Sequence, residues 1–235
     1  MRQDDRAQPR PRRVYVLACQ VLQNALQPLV QNMPGLATCR FMPYGLHGVP
    51  AEMAARLQAV VDSETEPGVV LVGYGLCGNG LVGLQSRRHA LVIPRTDDCI
   101  AVLMGSYEKY REDFFRHPGT YYLSEGWVES GFHPIAQFQQ WCARYGDERA
   151  RRLIARAYKR YRRVVLVAFT PAEFDRYRQQ AQAVAALLGA AYEEMIGEPT
   201  LLQRLVWHAD ALDHGEDEFV VVPPGAQVRQ SDFVR

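Results

Sequence analysis

The sequence holds no apolar run near the roughly 20 residues that a membrane-spanning helix needs, and none of its cysteines stand as a CxxC pair. The first absence excludes a bilayer-spanning helix, and the second excludes the spacing of a zinc finger. Net charge is also scarce. With 27 Lys and Arg against 26 Asp and Glu, the formal charge is +1, too little for a bulk basic field that would grip nucleic acid. Met1 to Arg13 is polar and rich in Arg and Pro, so it lacks the apolar core of a signal peptide. It is read as a disordered basic lead-in to a cytoplasmic protein. Cysteine is sparse and odd in number, at five. In a reducing compartment such thiols are buried small residues, metal or cluster ligands, or nucleophiles rather than disulfides.

What is present is a rhythm of strands and helices. Val14 to Ala18 is dense in β-branched and aromatic residues and predicts a strand running into Cys19. Helical spacing follows over Val21 to Val30. A weaker strand spans Thr38 to Met42, and Pro50 opens a second helix. Val69 to Gly73 is the most strand-like segment and empties into Tyr74-Gly75-Leu76-Cys77-Gly78-Asn79-Gly80. A strand over Ala90 to Ile93 leads through Pro94-Arg95-Thr96-Asp97-Asp98 to Cys99, and Ser106 is positioned to cap a helix reaching Phe115. Gly119 to Gly131 reads as an irregular aromatic loop, and Pro134 to Tyr161 as a long helical region broken near Gly146. Further elements are expected at Val164 to Phe169 (strand), Phe174 to Leu188 (helix), Tyr192 to Ile196 (strand), Thr200 to Ala211 (helix) and Phe219 to Val222 (strand). The pattern predicts an α/β fold with a mostly parallel, doubly wound, Rossmann-like sheet and helices on both faces. An N-terminal α/β half (14–133) carries the chemistry, followed by a helical and α/β half (134–235), with one continuous domain as the alternative.

In such sheets ligands bind beyond the carboxyl ends of the strands. Cys19, Cys77 and Cys99 each leave such an end, and His47 follows the second strand. Thiolates are soft ligands that suit zinc and iron–sulfur centres, and imidazole suits zinc or iron. Three sulfurs with His47 unbound leave one position open for substrate. The plainer reading is that each cysteine is a small buried residue, and Cys39 and Cys142 are assigned to packing on that basis. The glycine-rich stretch is read as an anion cradle or a support for Cys77, through Gly75, Gly78 and Asn79, or else as a tight strand-to-helix turn. It is read as containing neither G-x-G-x-x-G nor the Lys-Ser/Thr ending of a P-loop, and no standard nucleotide site is expected. Arg95 is a candidate fork for a carboxylate or phosphate, and Asp98 a candidate base. The structural alternative pairs Arg95 with Asp97 and makes Asp97 a helix cap. The Arg-rich stretch from Arg149 to Arg163 reads as a solvated face or a subunit contact.

Ala18-Cys19-Gln20-Val21-Leu22, Gly45-Leu46-His47, Gly73 through Leu84, Pro94-Arg95, Asp98-Cys99-Ile100, Pro118 through Tyr122 and Gly126-Trp127 together resemble the bacterial and archaeal domain-of-unknown-function family numbered 1638. Its members look like companions of corrinoid-dependent methyltransferase systems, an association rather than a mechanism. Gln20 stands where many relatives carry Glu, and Asp97 where many carry His. The family has no settled activity to carry over, so the resemblance supports the location of the site and leaves the reaction open. With the residue reading, the leading expectation is a metal or iron–sulfur protein of one-carbon, corrinoid-linked methyl metabolism, with zinc or a cluster held by Cys19, Cys77 and Cys99. The alternatives are an enzyme with Cys77 or Cys99 as nucleophile and His47 as base, or a non-catalytic accessory protein for a corrinoid partner. A small molecule or corrinoid protein is the expected partner, with self-association a further option.

Overall fold

The computed structural model describes residues 12–209 and 217–235. Most of the expected lead-in, and the end of the expected Thr200 to Ala211 helix, lie outside the described residues. The fold is α/β and mostly parallel, as the alternation predicts, but its strands form two sheets rather than one. The first is built from β1 (Val14–Cys19), β2 (Leu36–Met42), β3 (Gly68–Gly73), β4 (His89–Pro94) and β8 (Phe219–Val222). Its order is β2-β1-β3-β4-β8, parallel throughout except for β8, which runs antiparallel along β4. The second is a parallel β5-β6-β7 sheet made of Thr120–Leu123, Arg163–Ala168 and Ala191–Ile196.

The central strands are buried on both faces, which is why they read as unbroken apolar runs (VYVLAC, VVLV, HALVIP) rather than as alternating ones. The β6 strand shows how the two sheets share a core. Val165 and Val167 join the main hydrophobic cluster, while Val164, Leu166 and Ala168 face a second cluster with Phe174, Tyr177, Ala181, Val184 and Ala185. Those last five lie on α8 (Pro171–Leu188). Period-two alternation therefore sends one face of β6 to each core.

Between β1 and β2 lie a short 3-10 turn over Gln20–Leu22 and α1 (Gln23–Val30); α2 (Pro50–Ser63) precedes β3. The stretch expected as one helix from Ser106 is preceded by another: α3 (Cys99–Met104) ends at Gly105 in the left-handed region, and α4 (Tyr107–Arg116) follows. The Ser106 hydroxyl accepts the Lys109 N–H at 3.2 Å, confirming the cap. The aromatic segment expected as an irregular loop is instead β5 followed by α5 (Glu125–Ser130). Thr-Tyr-Tyr-Leu is short but strongly β-forming, and pairing with β6 completes it. The long helical region breaks at Gly146 into α6 (Pro134–Tyr145) and α7 (Asp147–Ala157), and α9 (Thr200–Trp207) precedes β8. Among the described residues no helix is long and apolar enough to cross a membrane.

Candidate functional site: a buried thiol cluster at the sheet switch point

In the order β2-β1-β3-β4 the chain steps from β1 to one side and then returns to place β3 on the other. The carboxyl ends of β1 and β3 therefore flank the point where strand order reverses, the place where open α/β sheets form their ligand crevice. Cys19 is the last residue of β1. Ala18 pairs with Gly73 across the β1–β3 register, so the residue after β3, Tyr74, lies beside Cys19. Cys77 follows three residues later. Cys99 opens α3 after β4. All three thiols are buried and none is in a disulfide.

Two backbone bonds sew the loops together: Leu76 N–H to the Thr96 carbonyl and Cys77 N–H to the Asp97 carbonyl, each 2.8 Å. This is possible because position 75 is glycine. A Cβ there would sit 2.7 Å from the N, Cα and carbonyl carbon of Asp98. Gly75 therefore serves close loop packing, not an open cradle. Cys77, Gly78 and Asn79 then run successively through positive φ, at 49°, 64° and 71°. For Cys and Asn this conformation is uncommon, and it holds the Cys77 thiol inward while Gly78 and Asn79 are exposed. Contrary to the expectation that the stretch holds no G-x-G-x-x-G, Gly73, Gly75 and Gly78 stand at that spacing at the end of β3. Residues 77–83 form turns, however, and no helix follows before β4. The helix N-terminus that would receive a pyrophosphate is missing from the motif.

The neighbouring Cys19 and Cys77 thiols, together with burial, push the Cys99 thiol well above its usual range. Cys19 is held below the usual range, chiefly by its Cys99 neighbour. The Val21 N–H and the Tyr74 hydroxyl act in the same direction, against the opposing effect of burial. Of these two, Cys19 is the easier to ionise and Cys99 the harder. Tyr74 is 2% exposed, its hydroxyl presses on this cluster, and its own ionisation is strongly suppressed. It influences Cys19 electrostatically but meets no group with hydrogen-bond geometry. A buried hydroxyl without a partner is uncommon and marks a place where a ligand group is wanted.

Asp98, not Asp97, caps α3: its Oδ1 accepts the Ile100 N–H at 2.8 Å, and its Oδ2 accepts the Tyr110 hydroxyl at 3.0 Å. Burial raises its carboxyl above the ordinary range, outweighing those two bonds. Arg95 pairs with Asp217 at 3.4 Å rather than with Asp97, and its backbone N–H donates to the Glu218 carbonyl. His47 is exposed in a 3-10 turn over Leu46–Gly48. It lines a cavity of about 340 Å3 together with Asp98, and the groups acting on the Cys19 and Cys99 thiols do not include it. Cys39 packs, partly buried, against the main core from within β2. Cys142 sits half-buried on α6 beside Asp147, 3.8 Å from its carboxylate. Among the described residues no three His, Cys, Asp or Glu side chains are arranged to hold a metal ion as they stand. The sequence reading missed Tyr74; its position directly after the strand that leads to Cys77 was the signal.

Residues 41–206 match the family described as Protein of unknown function (DUF1638). The chain belongs to this family. The DUF1638 match takes in Cys77, Asp98 and Cys99 and leaves Cys19, on β1, ahead of its start. No curated protein and no solved structure matches the chain.

Proposed function

We propose that the protein binds a soft metal, zinc or an iron–sulfur cluster, through Cys19, Cys77 and Cys99. The observation that carries this reading is the meeting of three thiols from three sheet-edge loops in one buried place against an unpartnered Tyr74 hydroxyl. The donor set fits: three sulfurs with no hard carboxylate among them suit thiophilic ions. Ligation requires the thiol protons to leave; Cys19, whose thiol is held low, would give up its proton before Cys99, whose thiol is pushed up. Tyr74 then gains a thiolate to donate to. When bound, zinc would lower the pKa of a substrate thiol so that it accepts a methyl group, and a three-Cys cluster would leave an iron open to substrate. The first chemistry suits corrinoid-linked methyl metabolism.

Anaerobic purification followed by metal analysis and absorption spectra tests this reading. We expect near-stoichiometric zinc or iron, lost in the Cys19→Ser, Cys77→Ser and Cys99→Ser variants and retained in Cys39→Ser. Zinc added to metal-free protein in weak buffer should release protons. A protein that takes up no metal, and whose thiols react identically with and without zinc, overturns it.

A further inference from the structure

Asp98 and Ile100, the two neighbours of Cys99 in the chain, line a cavity with a different chemistry. Its volume is about 340 Å3, at the small end of ligand pockets. Its walls include Tyr121, Tyr122, Trp127 and Phe132, with Asp98 among the lining groups and His47 at the rim. His47 and Phe132 also line a neighbouring cavity of about 850 Å3, so these two residues stand between a roomier outer space and the aromatic chamber. Phe132 is 61% exposed although its ring lies beside Gly45, where a Cβ would come within 3.1 Å of it.

The charge pattern of the chamber is one-sided. Asp98 is half-buried, and among the described residues no Lys or Arg pairs with it; it accepts from the Ile100 amide and the Tyr110 hydroxyl. The guanidinium beneath Tyr122, that of Arg163, is held by Asp113 and Glu193. A carboxylate without a counter-ion, at a chamber walled by electron-rich rings, has the two features that recognise an organic cation. The ring faces attract positive charge without a strong demand for hydrogen-bond donors, and the carboxylate supplies the net charge. A hydrated metal ion or an ammonium with many donors to satisfy gains less from such walls.

We propose that this chamber binds a small alkylated organic cation, of the quaternary ammonium or sulfonium class, with Asp98 as counter-ion and Trp127 as the main aromatic wall. The proposal goes beyond the metal reading and stands without it, since it needs no occupant at the thiols. If both hold, the cation would sit across one helical turn from Cys99.

Calorimetric titration of the full chain, metal-free and zinc-loaded, with tetramethylammonium and with tert-butanol as an uncharged branched control tests it. Tetramethylammonium should bind at least about tenfold more tightly than tert-butanol. Asp98→Asn should lose about tenfold in affinity; asparagine is an equally good helix cap, so the fold is kept. Trp127→Leu should weaken tetramethylammonium by a similar factor, and the effect of each variant should be the same in metal-free protein. Equal affinity for the cation and the alcohol, undetectable binding of tetramethylammonium, or superimposable titrations of wild type and both variants overturns the proposal. Failure of metal uptake with cation binding intact would sink the thiol reading alone.

Discussion

Replacing Gly75 with alanine probes the point on which the thiol cluster depends. The new Cβ would lie 2.7 Å from three backbone atoms of Asp98, about 0.8 Å or more inside the optimal carbon separation of roughly 3.5 Å. Relief by rotation is closed, because the obstructing atoms are backbone. The 74–77 and 96–98 loops must therefore separate, straining the two 2.8 Å bonds from Leu76 and Cys77 to Thr96 and Asp97. Forcing one methyl into a packed site costs about 1–3 kcal/mol. For a chain of this size each kcal/mol moves Tm by about 2–4 °C, so the fall should be about 2–12 °C. Gly48→Ala is the control: nothing lies within 4 Å of its Cβ position, and its effect should stay within about 0.5 kcal/mol. Differential scanning calorimetry gives Tm, and a thiol reagent in native buffer gives the second readout. Separation of the loops should speed modification of Cys77 and Cys99 in Gly75→Ala and leave Gly48→Ala like wild type. A Gly75→Ala protein with unchanged Tm and unchanged thiol rates would refute the claim that loop contact builds the site.

Tyr74→Phe removes a buried hydroxyl that has no hydrogen-bond partner, so metal-free protein should become more stable, by up to about 1–3 kcal/mol in urea titration; a loss of stability would show that the hydroxyl is satisfied. Asp98 gives a pH signature. Because its native carboxyl is raised, the stability it contributes is present below the unfolded value of about 4 and is lost as pH rises through the higher native value. Asp98→Asn should accordingly exceed wild type in Tm at neutral pH, and the gap should close as pH falls toward 4; a gap that widens on acidification refutes the assignment. Arg163 is 7% exposed between Asp113 and Glu193. Arg163→Met would strand the largely buried Asp113 carboxylate and should cost about 3–5 kcal/mol, read from the urea midpoint; a change below about 1 kcal/mol would place that pair in solvent.

The sequence displayed the first sheet well, because fully buried parallel strands are contiguous apolar runs. Val14–Cys19, Gly68–Gly73 and Phe219–Val222 fall where composition puts them, within a residue. It also displayed two strands of the second sheet, Arg163–Ala168 and Ala191–Ile196, to within a residue, but not that they form a separate sheet. Its first strand is four residues of mixed burial and its last, Ala-Tyr-Glu-Glu-Met-Ile, is largely exposed at an edge, so neither signals which sheet it joins. Cap identity was misjudged by one residue for a related reason: Asp97 and Asp98 are equivalent as sequence, and only the Ile100 N–H distinguishes them. The clustering of Cys19, Cys77 and Cys99 was legible because strand ends in a parallel sheet share one edge. The place of His47 was not, since a 3-10 turn of exposed residues carries no directional signal. The chamber of Tyr121, Tyr122 and Trp127 was legible as composition alone; its place depends on β5 pairing with β6 and on Gly126, where a Cβ would sit 2.7 Å from the Val21 backbone, so that only glycine lets α5 pack there.

That last contact joins the two sheets at the site itself. Val21 belongs to the turn that follows Cys19, and its N–H is among the groups that hold the Cys19 thiol low. The residue after Gly126 is Trp127, a wall of the chamber. The Cys19 turn is therefore clamped between β3 on one side, through the Ala18–Gly73 pair, and α5 on the other. Any displacement of α5 by an occupant of the chamber bears on the backbone that positions the Cys19 thiol. The family match begins after β1, yet the strand register leaves Cys19 no place but beside Tyr74. The thiol centre is thus one unit made by β1, β3 and β4 together, with Tyr74 at its centre and Asp98 forming the partition between sulfur and aromatic chemistry.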